Sequence, residues 1–329
     1  IELGRIKEIM RMYCRALTAM DVGIALPEER AAQIKGWVAL EKAMTGETMV
    51  YLPLVMERFN NKEDNFDWYK VVATHQVAHL EFQSFLFSFD TPAVLFPNLR
   101  PQLAQDGNGE TQATGPTDIH RFFALFQDGP LARDIFTAVE DYRLDHRVRV
   151  EYPGIRKAYA KVQAQALEER PLIEEMPARE AMVELLIRFG LQQDRDLMVP
   201  EQYREGVNAL WEIVKPLSLP QASVEDTAEA TIRLYRVISQ IPNEEVPQQE
   251  REKSDLPEED FGGEDLDKML QRLLESMLLS RSGKEQQYHS PPRVEYRGEF
   301  SPELIQLLSR LRESRMKRGA KGAPMSKEE

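Results

Sequence analysis

FDWYKVVATHQVAHLEFQSFLFSF, residues 66–89, presents apolar or aromatic side chains in nearly every direction a helix can offer. A helix on a protein surface keeps a polar face, whereas one that is apolar all round has to be enclosed. The segment therefore predicts a buried helix. Within it, His75 and His79 stand four apart. That spacing puts two imidazoles on one helix face, within reach of a single metal ion.

Helical periodicity extends outward in both directions. Residues 1–20 align Ile6, Ile9, Met10 and Tyr13, and residues 28–45 form a second helix ended by Gly46. The best strand candidate is Glu47–Leu54, ETMVYLPL, where Met49, Val50, Tyr51 and Leu52 precede a proline. Residues 97–117, PNLRPQLAQDGNGETQATGPT, show no period and read as a mobile insertion. Helical patterns return at roughly 118–127, 130–150, 154–175, 178–191, 200–217 and 223–241, punctuated by Pro153, Pro171, Pro200 and Pro242. The fold class is thus mainly α, a helical domain over 1–241 with an HxxxH helix and at most a short β element.

Residues 242–263 combine proline, glycine and acids with almost nothing to bury, as a linker does. Beyond them Leu266, Met269, Leu270, Leu273, Leu274, Met277 and Leu278 form a helical stripe, which either docks on the main body or meets a partner helix. A C-terminal helical region covers 264–315, with Ser301-Pro302-Glu303 opening its last helix. Residues 316–329 are small and charged.

The formal charge of −13 repels phosphate and argues against a general nucleic-acid binder. Acid is concentrated in 242–267, while 310–321 is basic, either as a solvated helix end or as a contact for an acidic partner. A single cysteine, Cys14, excludes an internal disulfide and a cysteine zinc cage. No apolar run is long enough for a membrane span and no signal segment opens the chain, so the cytoplasm is the expected location. There is no GxxxxGK[ST] phosphate loop, so no nucleotide is expected on this chain.

Two histidines need further ligands to hold a metal. Residues 137–148, TAVEDYRLDHRV, offer Glu140, Asp141, Asp145 and His146 on one helix. Glu140 follows Ile135-Phe136 and Ala138-Val139, which sets it at the buried edge and makes it the expected third ligand beside His75 and His79, with zinc the expected metal. Asp145, or Asp141 one turn before it, is placed to orient a ligand histidine through its other ring nitrogen. A solvated position is otherwise expected for Asp141 and Arg143. Without a metal, the same histidines are core side chains bonded to backbone or carboxylates. Gln76 stands where the HExxH motif has its glutamate, and an amide has no accessible pKa with which to take a proton from metal-bound water.

HQVAHLEF, preceded by VYLP and DWYK and followed by VEDYRLDHRVRVEYPGIR, resembles the N-terminal part of the CbbO/NorD family, most clearly over about residues 45–160. The resemblance implies that 1–241 is a zincin-like adaptor domain, a non-enzymatic partner of a hexameric MoxR-type AAA+ ATPase. In that family CbbO acts with CbbQ on Rubisco, and NorD acts with NorQ on nitric oxide reductase. It also implies a C-terminal von Willebrand factor A domain with a DxSxS metal site; no such pattern occurs here, and 316–329 reads as a linker toward one. The stripe Leu266, Met269, Leu270, Leu273, Leu274 and Met277 is the expected contact with the ATPase ring. The alternative is an active gluzincin-type zinc metallopeptidase using His75, His79 and Glu140, with Asp145 or His146 replacing the missing base.

Overall fold

In the computed structural model, which describes residues 1–27, 48–106, 115–192, 204–243, 287–307 and 309–310, helices dominate. The first, α1 (Leu3–Thr18), buries Leu3, Met10 and Cys14 and ends on a left-handed Ala19. Two short strands follow, β1 (Val22–Ala25) and β2 (Thr48–Tyr51), paired in parallel with Val22 opposite Thr48 and Ala25 opposite Tyr51. β2 lies within the predicted strand. β1, only VGIA, carries no alternation that would mark it in the sequence.

The histidine helix, α2 (Lys62–Glu81), starts where the Asn61 side chain accepts a hydrogen bond from the Asp64 N–H at 2.8 Å. Glu63 and Asp64 add negative charge to the positive end of its dipole. Trp68, Tyr69, Val71, Val72, His75, Val77 and Ala78 are all buried, so this helix is enclosed on most of its circumference as its composition requires. It stops short of the predicted end. Gln83 adopts φ 64°, and FQSFLFSF leaves the helix through a 3₁₀ turn at Ser84–Leu86.

The remaining helices are α3 (Arg100–Asp106), α4 (Asp118–Phe123), α5 (Gly129–Glu151), α6 (Arg156–Glu168), α7 (Ala178–Gln192), α8 (Arg204–Val214) and α9 (Val224–Ile238). Asp128 caps α5, with Pro130 in its first turn, and Ser223 with Asp226 forms a capping box on α9. The long α5 joins three apolar clusters. Leu131, Ile135 and Val139 pack with α7, α8 and α9; Leu144 and Val148 pack with α1, α2 and α6; and Ala132 and Phe136 pack with Phe87, Phe122 and Ile232. Residues 287–307 then run back across the body through a 3₁₀ turn (Glu295–Arg297) into a helical stretch at 302–307.

One expectation needs correction. The 97–117 insertion is ordered over its first part, where α3 is tied down by Arg100, a side chain that is 1 % exposed. Its guanidinium donates to Glu229 Oε1 (3.0 Å) and to the carbonyls of Ser88 (3.0 Å) and Thr91 (2.8 Å). Such anchoring acts at a distance in sequence that periodicity does not register. The 28–45 helix, the 242–263 linker beyond Asn243, the Leu266–Leu278 stripe and residues 316–329 lie outside the described residues. No helix among the described residues is long and apolar enough to cross a membrane.

Replacing Arg100 would leave Glu229 buried with Arg233 as its remaining cation, at 3.0 Å. Arg100→Met is expected to lower the unfolding free energy by about 3–5 kcal/mol. Urea denaturation followed by circular dichroism checks this, and a change below about 1 kcal/mol would show that the pair behaves as a surface contact.

Candidate metal centre

α2 presents His75 and His79 one turn apart, and α5 faces them with Asp141 and Asp145, also one turn apart. All four are buried: His75 and Asp145 are 0 % exposed, His79 4 % and Asp141 5 %. The His75 Nδ1 lies 3.0 Å from Asp145 Oδ1 and 2.9 Å from the Tyr159 hydroxyl, while its Nε2 lies 3.3 Å from Asp141 Oδ1. His79 Nε2 lies 3.9 Å from that same Asp141 oxygen, and its Nδ1 is 3.2 Å from Ser84 Oγ.

The hydrogen-bond network assigns the tautomers. Ser84 donates to Glu140, so its oxygen accepts from His79, which places the proton on Nδ1 and a lone pair on Nε2. Tyr159 donates to Asp145 Oδ1 at 2.7 Å, and His75 Nδ1–H does likewise. Both rings therefore point Nε2 at one carboxylate oxygen of Asp141, with their outer nitrogens held by oxygen partners. Three ligand atoms, all within 4.8 Å of one another, form a group able to hold a metal ion. Tetrahedral zinc with bonds near 2.0–2.1 Å sets its ligands roughly 3.3 Å apart, close to the 3.3 and 3.9 Å found here.

Electrostatics separate the two rings. Burial disfavours the His75 cation, but hydrogen bonds and charges from Asp141 and Asp145 outweigh it and carry its pKa up to about 9. Burial and the neighbouring charges of His75 and Arg143 hold His79 well below its ordinary pKa. Burial alone would raise Asp145, yet Arg297 and His75 draw it well below the usual carboxylate range. Asp145 also accepts on Oδ2 from Gln163 (3.2 Å), Tyr296 (2.9 Å) and Arg297 (2.6 Å).

Glu140 does not join this group. It is fully buried, as its apolar neighbours imply, but it faces α9 instead of the histidines. Its carboxylate accepts from Arg143 Nε (2.9 Å) and Nη2 (2.6 Å), from Thr227 (2.6 Å) and from Ser84. Desolvation would raise its pKa, and the Arg143 charge with these donors lowers it instead. Asp141 takes the position expected of Glu140, one residue further round the helix. Neither Asp141 nor Arg143 is solvated, because the surface they occupy is covered by α2, by the 220–227 segment and by residues 296–298. The i, i+4 relation to Asp145 was the signal for Asp141, since an aspartate reaching His75 puts the residue one turn earlier on the same face. Tyr159, Gln163, Tyr296 and Arg297 carry no comparable signal.

Gln76 is committed elsewhere. Its Oε1 accepts from the Tyr51 N–H and its Nε2 donates to the Tyr51 carbonyl, both at 2.8 Å. Gly298, at φ 74°, lies against the same amide, with room for a Cβ only 3.4 Å from Nε2. Comparison of the chain with protein-family models, curated proteins and solved structures finds no match.

A glutamate at position 76 cannot donate to the Tyr51 carbonyl and sets a negative charge against it. Gln76→Glu is expected to destabilise the fold by about 1–3 kcal/mol at neutral pH without creating peptidase activity. Thermal denaturation and a casein-cleavage assay read the two effects; zinc-dependent cleavage by this variant would contradict the assignment of Gln76 as a strand tie.

Proposed function

We propose that this chain is a non-enzymatic adaptor of a hexameric MoxR-type AAA+ ATPase in the cytoplasm, stiffened by a zinc ion held by His75, His79 and Asp141. The ATPase would use the adaptor to remodel a target enzyme, Rubisco or nitric oxide reductase. The observation that carries the reading is the meeting of HQVAHLEF and VEDYRLDHRV, the two motifs behind the family resemblance, in one buried network. That network spends the chemistry-bearing groups on structure. Gln76 is tied to Tyr51, Asp145 is filled by five donors, and Glu140 is filled by Arg143, Ser84 and Thr227.

An adaptor transmits work from a ring to a target, which favours a body that moves as one piece. Bound zinc would link α2 to α5 through neutral imidazoles and one carboxylate, replacing the proton shared between His75 and Asp141. ATP turnover would belong to the partner. Elemental analysis of the purified chain is expected to give one zinc per chain, lost in His79→Ala and Asp141→Ala but kept in Glu140→Gln where that variant folds. Protein free of zinc after purification without chelators, and unable to take it up, would remove the metal from this reading.

The ring contact is assigned to the Leu266–Met277 stripe. The chain is expected to co-purify with its cognate ATPase and to change its ATP turnover, and Leu273→Asp or Leu274→Asp should weaken that association by desolvating a charge. Absence of binding by the folded wild-type chain at micromolar concentration would refute the adaptor role for this part of the protein.

A further inference from the structure

The metal-binding group is closed from one side by residues far from it in sequence. Arg297 places Nη1 3.4 Å from Asp141 Oδ2 and Nη2 2.6 Å from Asp145 Oδ2. These are the outer oxygens of the two carboxylates; the inner ones, Oδ1, face His75. One guanidinium therefore turns both acids toward the histidines. Gly190 of α7 makes room for it, since a Cβ there would sit 2.4 Å from Nη2. Next along, the Phe300 ring stacks on His79 with centroids 4.2 Å apart and planes 11° from parallel. Arg297 and Phe300 also line a cavity of about 440 Å3 that reaches Asp141, whereas neither histidine lines it. Phe300 thus lies between the cavity and the His79 ring, and Arg297 between the cavity and the Asp145 carboxylate.

The segment bearing them is fastened on both sides. Upstream, the Tyr288 hydroxyl donates to Asp134 (2.8 Å) and the His289 N–H to Glu180 (2.8 Å). Downstream, Arg133 pairs with Glu303 (2.6 Å), and Gln306 donates to the Phe87 carbonyl (2.9 Å). We propose that residues 288–303 are a strap that organises and closes the metal centre, so that zinc retention and strap docking are coupled. Arg297 acts as a positioning residue, and Phe300 as the cover over His79. The inference rests on zinc binding at His75, His79 and Asp141. Linkage makes the coupling reciprocal: whatever the docked strap adds to metal affinity, the metal adds to docking.

Two measurements test it. Amide hydrogen exchange across 288–303 in the wild-type chain, with and without one equivalent of zinc, is expected to slow by about tenfold or more on loading. Zinc transfer to a chromogenic chelator is expected to be about 10- to 100-fold faster from Phe300→Ala and Arg297→Ala than from wild type, the scale for residues that orient metal ligands. Arg297→Ala leaves Asp145 short of its cation and threatens folding, so Phe300→Ala and the wild-type exchange comparison carry the test. Zinc bound at one per chain, with unchanged transfer from folded Phe300→Ala and equal strap exchange in both states, overturns the strap and leaves the metal reading intact. No zinc binding at all overturns the metal reading, and the strap inference falls with it.

Discussion

A charged carboxylate with no access to water is tolerable only when its lone pairs are filled and its charge is matched. Asp145 meets that condition by drawing donors from three separate pieces of chain. His75 comes from α2, Tyr159 and Gln163 from α6, and Tyr296 and Arg297 from the C-terminal segment, all converging on a residue of α5. Moving any of these elements away would strand a buried charge. The relative placement of α2, α5, α6 and residues 296–297 thus follows from one side chain, and the orientation of His75 follows with it.

The same solution recurs along the helices. Glu140 is matched by Arg143, Glu184 by Arg170 and Arg188, and Glu229 by Arg100 and Arg233, with each of these three glutamates fully buried. Replacing such pairs with apolar side chains of similar volume is often neutral or favourable for stability. Arg143, Arg188 and Arg233 pair within the helix of their own glutamate, whereas Arg170–Glu184 and Arg100–Glu229 join separate elements and so fix how those meet. Apolar surface brings helices together without specifying a register; a guanidinium that must find its carboxylate does specify one.

This interior of charges also marks the limit of what the sequence discloses. Apolar periodicity and the prolines that punctuate it locate most helices close to their observed ends, because a proline such as Pro153 acts locally. It also marked α2 as buried and His75 with His79 as a pair. It misplaced Asp141 and Arg143, because acids and arginines on a helix normally face water and nothing adjacent in sequence says that α2 and residues 296–298 will cover them. Glu140 and Asp141 differ by about 100° around α5, and choosing between them requires knowing where α9 lies. Arg297 sits more than 150 residues from Asp145, within VEYRGEF, a stretch with no periodic signature. Long-range ion pairing, unlike capping, leaves no local trace.

The pairing of Gln76 with Tyr51 has a consequence for the small sheet. Among the described residues the sheet has two parallel strands, and the N–H and C=O of Tyr51 point away from β1. Unpaired strand edges can recruit strands from other molecules. A glutamine side chain carries the same donor and acceptor as a peptide group, so Gln76 pairs with Tyr51 as a neighbouring strand would. One side chain of α2 thereby satisfies the backbone groups that a third strand would otherwise pair.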